Sequence, residues 1–223
     1  MIGVVVPAYN AEATIGEVAR GALKHLSRVL VVDDGSHDAT AQRAAAAGAR
    51  VTRHPANRGK GAALRTGFAQ MLELGAEAII TMDADLQHEP DDIPRLVETY
   101  RQLRAELIIG SRRMDFTSMT RGRRFGNRFS CGALRFFTGL DIPDSQSGYR
   151  LYEAGFVKQL ELRRDAYDAE MEVLLAAARG KRRVETIDIT SRAVDGTPTS
   201  YYRPWLDTYR ICRTVVMDSI CRF

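Results

Sequence analysis

Two carboxylates two residues apart, Asp83 and Asp85, follow the apolar run AIITM within the segment DADLQH. On an extended chain, residues two apart project from one face. Paired carboxylates suit a hard divalent cation whose shell is completed by phosphate oxygens and water. A cation held there would neutralise a leaving diphosphate, which is Lewis-acid chemistry. The same segment also reads as a solvated loop and helix cap, with Asp91 and Asp92 opening the next helical pattern.

A second acidic pair, Asp33 and Asp34 in VVDDGS, ends another apolar run. Either carboxylate could accept from a ribose hydroxyl or a base edge, with Gly35 making a tight turn and Ser36 or Asp38 capping a helix. In VVVPAYN, Pro7 fixes the exit of the first run and Tyr9 offers a flat face for stacking a base. The segment NRGKGAALRTG carries Lys60 among glycines. It is neither a phosphate loop, because His54 and Gly61 stand where Gly and Ser/Thr are required, nor a dinucleotide fingerprint, because Leu64 replaces the last Gly. A basic, glycine-flanked helix start competent for an anion remains.

Positioning these residues falls to short apolar runs that alternate with helical patterns, the mark of βαβ units on a mostly parallel sheet. Strands are expected at Ile2–Pro7, Val29–Val32, Arg50–Arg53, Ala78–Met82 and Leu107–Gly110, and helices at Glu12–Leu26, Ala39–Ala47, Gly61–Leu74 and Asp92–Arg104. Each acidic motif then lies at the carboxyl end of a strand, where open α/β sheets bind ligands. After Gly110 the pattern changes to a long loop over Ser111–Arg124. An aromatic-rich helix runs on to about Phe137, followed by a turn at Gly139–Pro143, a helix near Asp168–Gly180, a strand at Val184–Thr190 and a helical tail from Trp205. One domain over 1–223 is expected, residues 1–110 forming a nucleotide-binding half and 111–223 elaborating the acceptor side.

The chain's 223 residues, 45% hydrophobic and 27% charged, are those of a globular protein with a substantial core. A net charge of +4 is too mild for a dedicated nucleic-acid binder and fits an anionic small substrate or lipid headgroup. Cys131, Cys212 and Cys221 have no metal spacing and read as reduced, hence a cytoplasmic expectation. The opening residues have no signal-peptide pattern, and no run of about 18 apolar residues offers a membrane span.

PAYN, VVDDGS, NRGKGAALRTG, DADLQH, GSR and DSQSGYR occur here in the order found in the family 2 inverting glycosyltransferases with the GT-A fold. Over roughly Ile2 to Ser200 the chain resembles the dolichyl- and polyprenyl-phosphate sugar synthases most. That resemblance implies single-displacement transfer of a hexose from a UDP- or GDP-sugar, assisted by Mg²⁺ or Mn²⁺. It maps metal binding to Asp83, Asp85 and Gln87, and nucleotide contacts to Pro7, Tyr9, Asp33 or Asp34 and the neighbourhood of Lys60. Arg112, Arg124 and Arg192 resemble the set that handles diphosphate and acceptor phosphate, a role guanidinium forks suit. Glu170, in YDAEME, matches the family's acidic position and would serve as general base if the acceptor were a hydroxyl, whereas an ionised phosphate acceptor needs none. Relatives often carry an acidic residue immediately after PxYN, where this chain has Ala11 before Glu12.

Arg121, Arg123, Arg124, Arg128 and Arg135 crowd a stretch whose Phe125, Phe129 and Phe136 fall on one stripe at about 100° per residue. Such a helix lies on an anionic membrane surface or packs on the core with arginines outward. The tail repeats the pattern with Trp205, Tyr209, Cys212, Val216, Ile220 and Phe223. Core or dimer contact is expected of one stripe, and peripheral contact at the cytoplasmic membrane face stays open for the other. A saccharide or small-molecule hydroxyl remains an alternative acceptor, and a nucleotide-sugar-binding module without turnover an alternative function. A nucleotidyltransferase would need a glycine-rich loop after the first strand, which PAYN is not.

Overall fold

The computed structural model describes residues 1–112, 121–166, 168–191, 210 and 213–215, with 121–125 described by their backbone alone. Strands β1 (Ile2–Ala8), β2 (Val29–Asp33), β3 (Arg50–Arg53), β4 (Ala78–Thr81), β5 (Leu107–Ser111), β6 (Arg150–Glu153) and β7 (Val184–Asp188) form one sheet in the order β3-β2-β1-β4-β6-β5-β7. Pairing is parallel except at β6, which runs antiparallel to both β4 and β5.

Central strands read as unbroken apolar runs because both faces of the sheet are covered. Val4, Val6, Val31 and Ile80 point into one core layer and Val5, Leu30, Val32 and Ile79 into the other, as alternation along a strand requires. Helix α1 (Ile15–His25) buries Ile15, Val18, Ala19 and Ala22, and α4 (Ile93–Leu103) buries Ile93, Leu96, Val97 and Tyr100, each one stripe at helical spacing against the first layer. Helix α2 (Thr40–Ala46) connects β2 to β3. Helices α3 (Lys60–Glu73) and α7 (Ala169–Arg179) cover the opposite face, where Leu64, Phe68 and Met71 meet Met171, Leu174 and Leu175 in one cluster.

From β1 the chain winds outward through β2 to β3, then returns across the sheet to lay β4 on the other side of β1. The loops leaving the adjacent parallel strands β1 and β4 lead to helices on the same face, α1 and α4, and both start at carboxyl ends, where open α/β sheets bind ligands. The expected first-half strands and helices are present with ends shifted by up to three residues. Strand β6 was not foreseen: its four residues, RLYE, run directly into helix α6 (Ala154–Gln159) and carry no period long enough to register. Helix α5 (Arg121–Thr138) is the expected aromatic helix but starts earlier, so residues 121–124, expected as the end of a loop, are helical. Residues 113–120 of the expected loop and most of the tail lie outside the described residues.

Candidate active site

The two loops from β1 and β2 are laced together. Asn10, at φ 47, donates its backbone N–H to Ser36 Oγ at 2.9 Å and accepts the His37 N–H on Oδ1 at 2.9 Å. The Ala11 N–H donates to Thr40 Oγ1 at 2.7 Å, and Glu12, one place later than in the resembling family, accepts the Ala39 N–H at 3.0 Å. Pro7 is buried in β1 beside Val32, and Tyr9 is half-buried at its exit.

Asp33 and Asp34 are both buried but differently employed. Asp34 takes the backbone N–H groups of Arg58 and Gly59, the latter at 2.7 Å, and lies 2.6 Å from His54 Nδ1. His54 in turn reaches Thr66 Oγ1 at 2.9 Å. Both Asp34 oxygens thus shape the loop that enters α3. Asp33 accepts the Ser36 N–H on Oδ1, while its buried Oδ2 has no hydrogen bond and faces Arg53 Nε at 3.2 Å.

The loop held by Asp34 delivers Lys60. Gly59, at φ 94, packs so closely on the Asp165 carbonyl that a Cβ would sit 2.2 Å from its oxygen. From the helix start Lys60 Nζ reaches Asp83 Oδ1 at 2.5 Å and Glu170 Oε1 at 2.7 Å. Gly148 closes this triad from the sheet side, since a Cβ there would meet Asp83 Oδ2 at 2.7 Å and Glu170 Oε1 at 2.8 Å. Its carbonyl accepts from Thr81 Oγ1 at 2.7 Å.

Electrostatics separates the two carboxylates of DADLQH. Burial works to raise both, but for Asp83 the neighbouring Lys60, His88 and Arg112 outweigh it and bring the carboxyl down to about 2. Burial and the adjacent Asp83 charge push Asp85 up to about 6, although the Gln87 N–H donates to its Oδ1 at 3.0 Å. Burial brings His88 down to about 4, so it is neutral at pH 7 and its Nδ1 accepts the Asp83 N–H at 3.2 Å. The His88 ring stacks on Tyr149 with centroids 5.0 Å apart.

Arg112, at the end of β5, is gripped by the buried Asp144: Nε donates to Oδ2 at 2.7 Å and a terminal nitrogen to Oδ1 at 3.0 Å. Asn127 of α5 adds a third donor to that carboxylate at 3.1 Å. Arg150 is fully buried and donates to the carbonyls of Ser147, Glu170 and Ser145 at 2.7, 2.8 and 2.7 Å. It ties the DSQSGYR loop, and with it Gly148, to the first turn of α7.

Sequence reasoning thus named the residues that converge here, Asp83, Asp85, Gln87, Lys60, Arg112 and Glu170, but not the frame around them. Asp144, Gly148 and Arg150 stood without individual roles inside DSQSGYR, and the motif itself was the available signal. Neither the Arg124 side chain nor Arg192 lies among the described residues.

Comparison with known proteins identifies the family. The family described as Glycosyl transferase family 2 matches residues 3–160. An uncharacterised protein of Methanocaldococcus jannaschii is 36% identical over 195 residues, 84% of this chain and 80% of that one. The UDP-N-acetylglucosamine–dolichyl-phosphate N-acetylglucosaminyltransferase of Methanococcus voltae is 30% identical over 85% of this chain and 84% of its own. The undecaprenyl-phosphate mannosyltransferase of Micrococcus luteus is 33% identical over 83% and 81%. Glucosyl-3-phosphoglycerate synthase from Mycobacterium tuberculosis, crystallised with Mn²⁺, UDP-glucose and phosphoglyceric acid, superposes at a TM-score of 0.77 with 26% identity, covering 99% of this chain and 78% of that one. The chain belongs to glycosyltransferase family 2, with the GT-A fold of that enzyme, and is itself a glycosyltransferase.

Proposed function

We propose that this enzyme moves a hexose from a UDP- or GDP-sugar to the phosphate of a polyprenyl lipid such as dolichyl or undecaprenyl phosphate, inverting the anomeric centre. The observation that carries this reading is Lys60 bridging Asp83 and Glu170. Glu170 Oε1 already accepts from that ammonium at 2.7 Å, so that oxygen is not free to take the proton of a hydroxyl acceptor. An acceptor that arrives ionised, as a phosphate does, needs no such base. The named activities of the Methanococcus and Micrococcus relatives support the same acceptor class.

On this reading the laced loops after β1 and β2 hold the nucleoside, Tyr9 stacking on the base and Asp33 Oδ2 accepting from it or from the ribose. Asp34 serves the site through the loop that aims Lys60. The diphosphate lies at the carboxyl ends of β1 and β4 on the side of Arg112, whose guanidinium Asp144 orients. Arg124 and Arg192 are assigned to the acceptor phosphate on the family resemblance alone. The acceptor oxygen attacks the anomeric carbon from the face opposite the diphosphate, and the C1–O bond to the nucleoside diphosphate breaks.

The donor set fits Mg²⁺ or Mn²⁺. Burial and the charge of Asp83 hold Asp85 up near 6, a cost that a bound cation would relieve. Among the described residues no group of three or more His, Cys, Asp or Glu side chains forms a closed cage. An open pair completed by diphosphate oxygens and water suits these hard cations. Asp83 and Asp85 would hold the ion, with Gln87 beside them, and the bound cation would supply charge neutralisation of the departing diphosphate.

Among the described residues no helix is long and apolar enough to cross a membrane. A lipid-phosphate acceptor nonetheless brings the enzyme to a bilayer, at its cytoplasmic face on this reading. Residues 1–110 form the donor half of a single domain and 111–223 the acceptor half. A second reading keeps the donor chemistry but takes a saccharide or small-molecule hydroxyl as acceptor; the Mycobacterium enzyme was crystallised with a small molecule, phosphoglyceric acid, beside UDP-glucose. The deciding experiment offers a panel of UDP- and GDP-sugars with Mg²⁺ or Mn²⁺, with and without short-chain polyprenyl phosphate. Nucleoside diphosphate release that requires the lipid phosphate supports the proposal, and release that requires only a hydroxyl acceptor overturns it.

A further inference from the structure

Helix α5 exposes three large aromatic side chains, Phe129, Phe136 and Phe137, at 55%, 83% and 38%. Phe129 and Phe136 are seven residues apart and so share one stripe at about 100° per residue. Phe137 meets Phe136 edge to face at 5.1 Å. Arg128 and Arg135, both exposed, run along the flank of that stripe. Between 121 and 138 the sequence has five arginines and no Asp or Glu. Arg135 pairs with Asp141 beyond the helix at 3.4 Å, both side chains largely in water.

The opposite face of α5 is not free to turn. Leu134 is buried in the core, Asn127 donates to Asp144, and Ser130 Oγ lies 2.9 Å from Ser145 Oγ. The helix is therefore fixed on the loop that grips Arg112, with its aromatic and cationic face pointing away.

We propose that this outer face of α5 docks the enzyme on an anionic lipid bilayer, Phe136, Phe137 and Phe129 entering the headgroup boundary while Arg128 and Arg135 meet lipid phosphates. Exposed aromatics beside exposed arginines, on a helix with no acidic residue of its own, match such a surface in both apolar area and charge. This extends the lipid-phosphate acceptor reading, because a bilayer on α5 lies about one helix diameter, roughly 10 Å, from the loop that positions Arg112.

Sedimentation with vesicles lacking any polyprenyl phosphate tests the docking without testing the acceptor. Wild-type protein is expected to bind phosphatidylglycerol vesicles at low salt, less at high salt, and phosphatidylcholine vesicles weakly. F136S/F137S should bind the anionic vesicles at least about tenfold more weakly, and R128E/R135E should lose the preference for anionic over neutral lipid. Both variants should keep wild-type turnover with a water-soluble short-chain acceptor, which separates docking from acceptor choice. Unchanged vesicle binding in the two variants overturns the proposal. So does a wild-type protein that ignores vesicles and forms a dimer which F136S/F137S dissolves, since the face would then cover a second copy.

Discussion

Arg112 lies in a two-point grip on Asp144, Nε at 2.7 Å from one carboxylate oxygen and a terminal nitrogen at 3.0 Å from the other, with the acid fully buried. Burial alone would raise the Asp144 carboxyl, but the Arg112 charge and hydrogen bonds outweigh it and hold it below its ordinary 3.8. A folded value below the unfolded one stabilises the protein above pH 3.8, and that contribution is lost as pH falls through the folded value. D144A should therefore unfold far more readily at neutral pH, by about 3–5 kcal/mol because a buried guanidinium loses its partner. In a chain of this size that is a melting-point drop of about 10 °C. The variant should also show a flatter loss of stability between pH 5 and pH 2 than wild type, both limits being roughly those over which a paired carboxylate is titrated. Thermal melts across that range check both, and a wild-type acid profile in D144A would remove the pair from the stability argument.

Lys60 neutralises two carboxylates at once, so its loss should be felt in catalysis more than in folding. K60M leaves Asp83 and Glu170 facing each other across Gly148 without the cation that bridges them. Turnover should fall by about 10²-fold or more, the usual cost of deleting one preorganised charge at a reacting centre. Turnover within a few-fold of wild type would show that the ammonium is structural.

The strands and the acidic motifs at their ends were legible because each lies within one local period, as AIITM before Asp83 does. What stayed hidden depends on distant partners. Lys60 and Glu170 are 110 residues apart, and Thr81 and Gly148 are 67 apart. Adjacent Asp33 and Asp34 look alike in sequence, and only the fold reveals that Asp34 is committed to the Arg58 and Gly59 N–H groups. Strand β6 was missed for a related reason: four residues become a strand only because β4 and β5 stand on either side.

Gly148 offers a test of the cradle that leaves the core alone. In G148A the new methyl would stand 2.7 Å and 2.9 Å from the two Asp83 oxygens and 2.8 Å from Glu170 Oε1. Those carboxylates must shift, and Lys60 restrains both. A tenth or less of wild-type turnover is expected, on the order of what small misplacements at a reacting centre cost, with little change in melting temperature. Full turnover would show that Asp83 and Glu170 need no fixed position.

Asp85 is the sharpest probe of the proposed cation. Its carboxyl stands up near 6 because it is buried beside Asp83, while Lys60 contacts Asp83 and Glu170. Converting it to D85N removes half of the carboxylate pair yet keeps the shape and leaves an oxygen able to accept the Gln87 N–H. Mn²⁺ affinity, followed by the loss of free-ion paramagnetic signal in the presence of nucleoside diphosphate, should fall by at least about 100-fold, more than a residue merely orienting a ligand would cost. Chelation should silence the wild-type enzyme, and added Mg²⁺ or Mn²⁺ should restore it, whereas D85N should stay nearly inactive at any metal concentration the donor tolerates. Metal-relieved like-charge repulsion predicts one further result: in the absence of metal, D85N should be no less stable than wild type at neutral pH, because it has lost a carboxylate that the fold disfavours ionised. A D85N protein that binds Mn²⁺ normally and turns over would remove the cation from this pair, and with it the neutralisation of the leaving diphosphate at the end of β4.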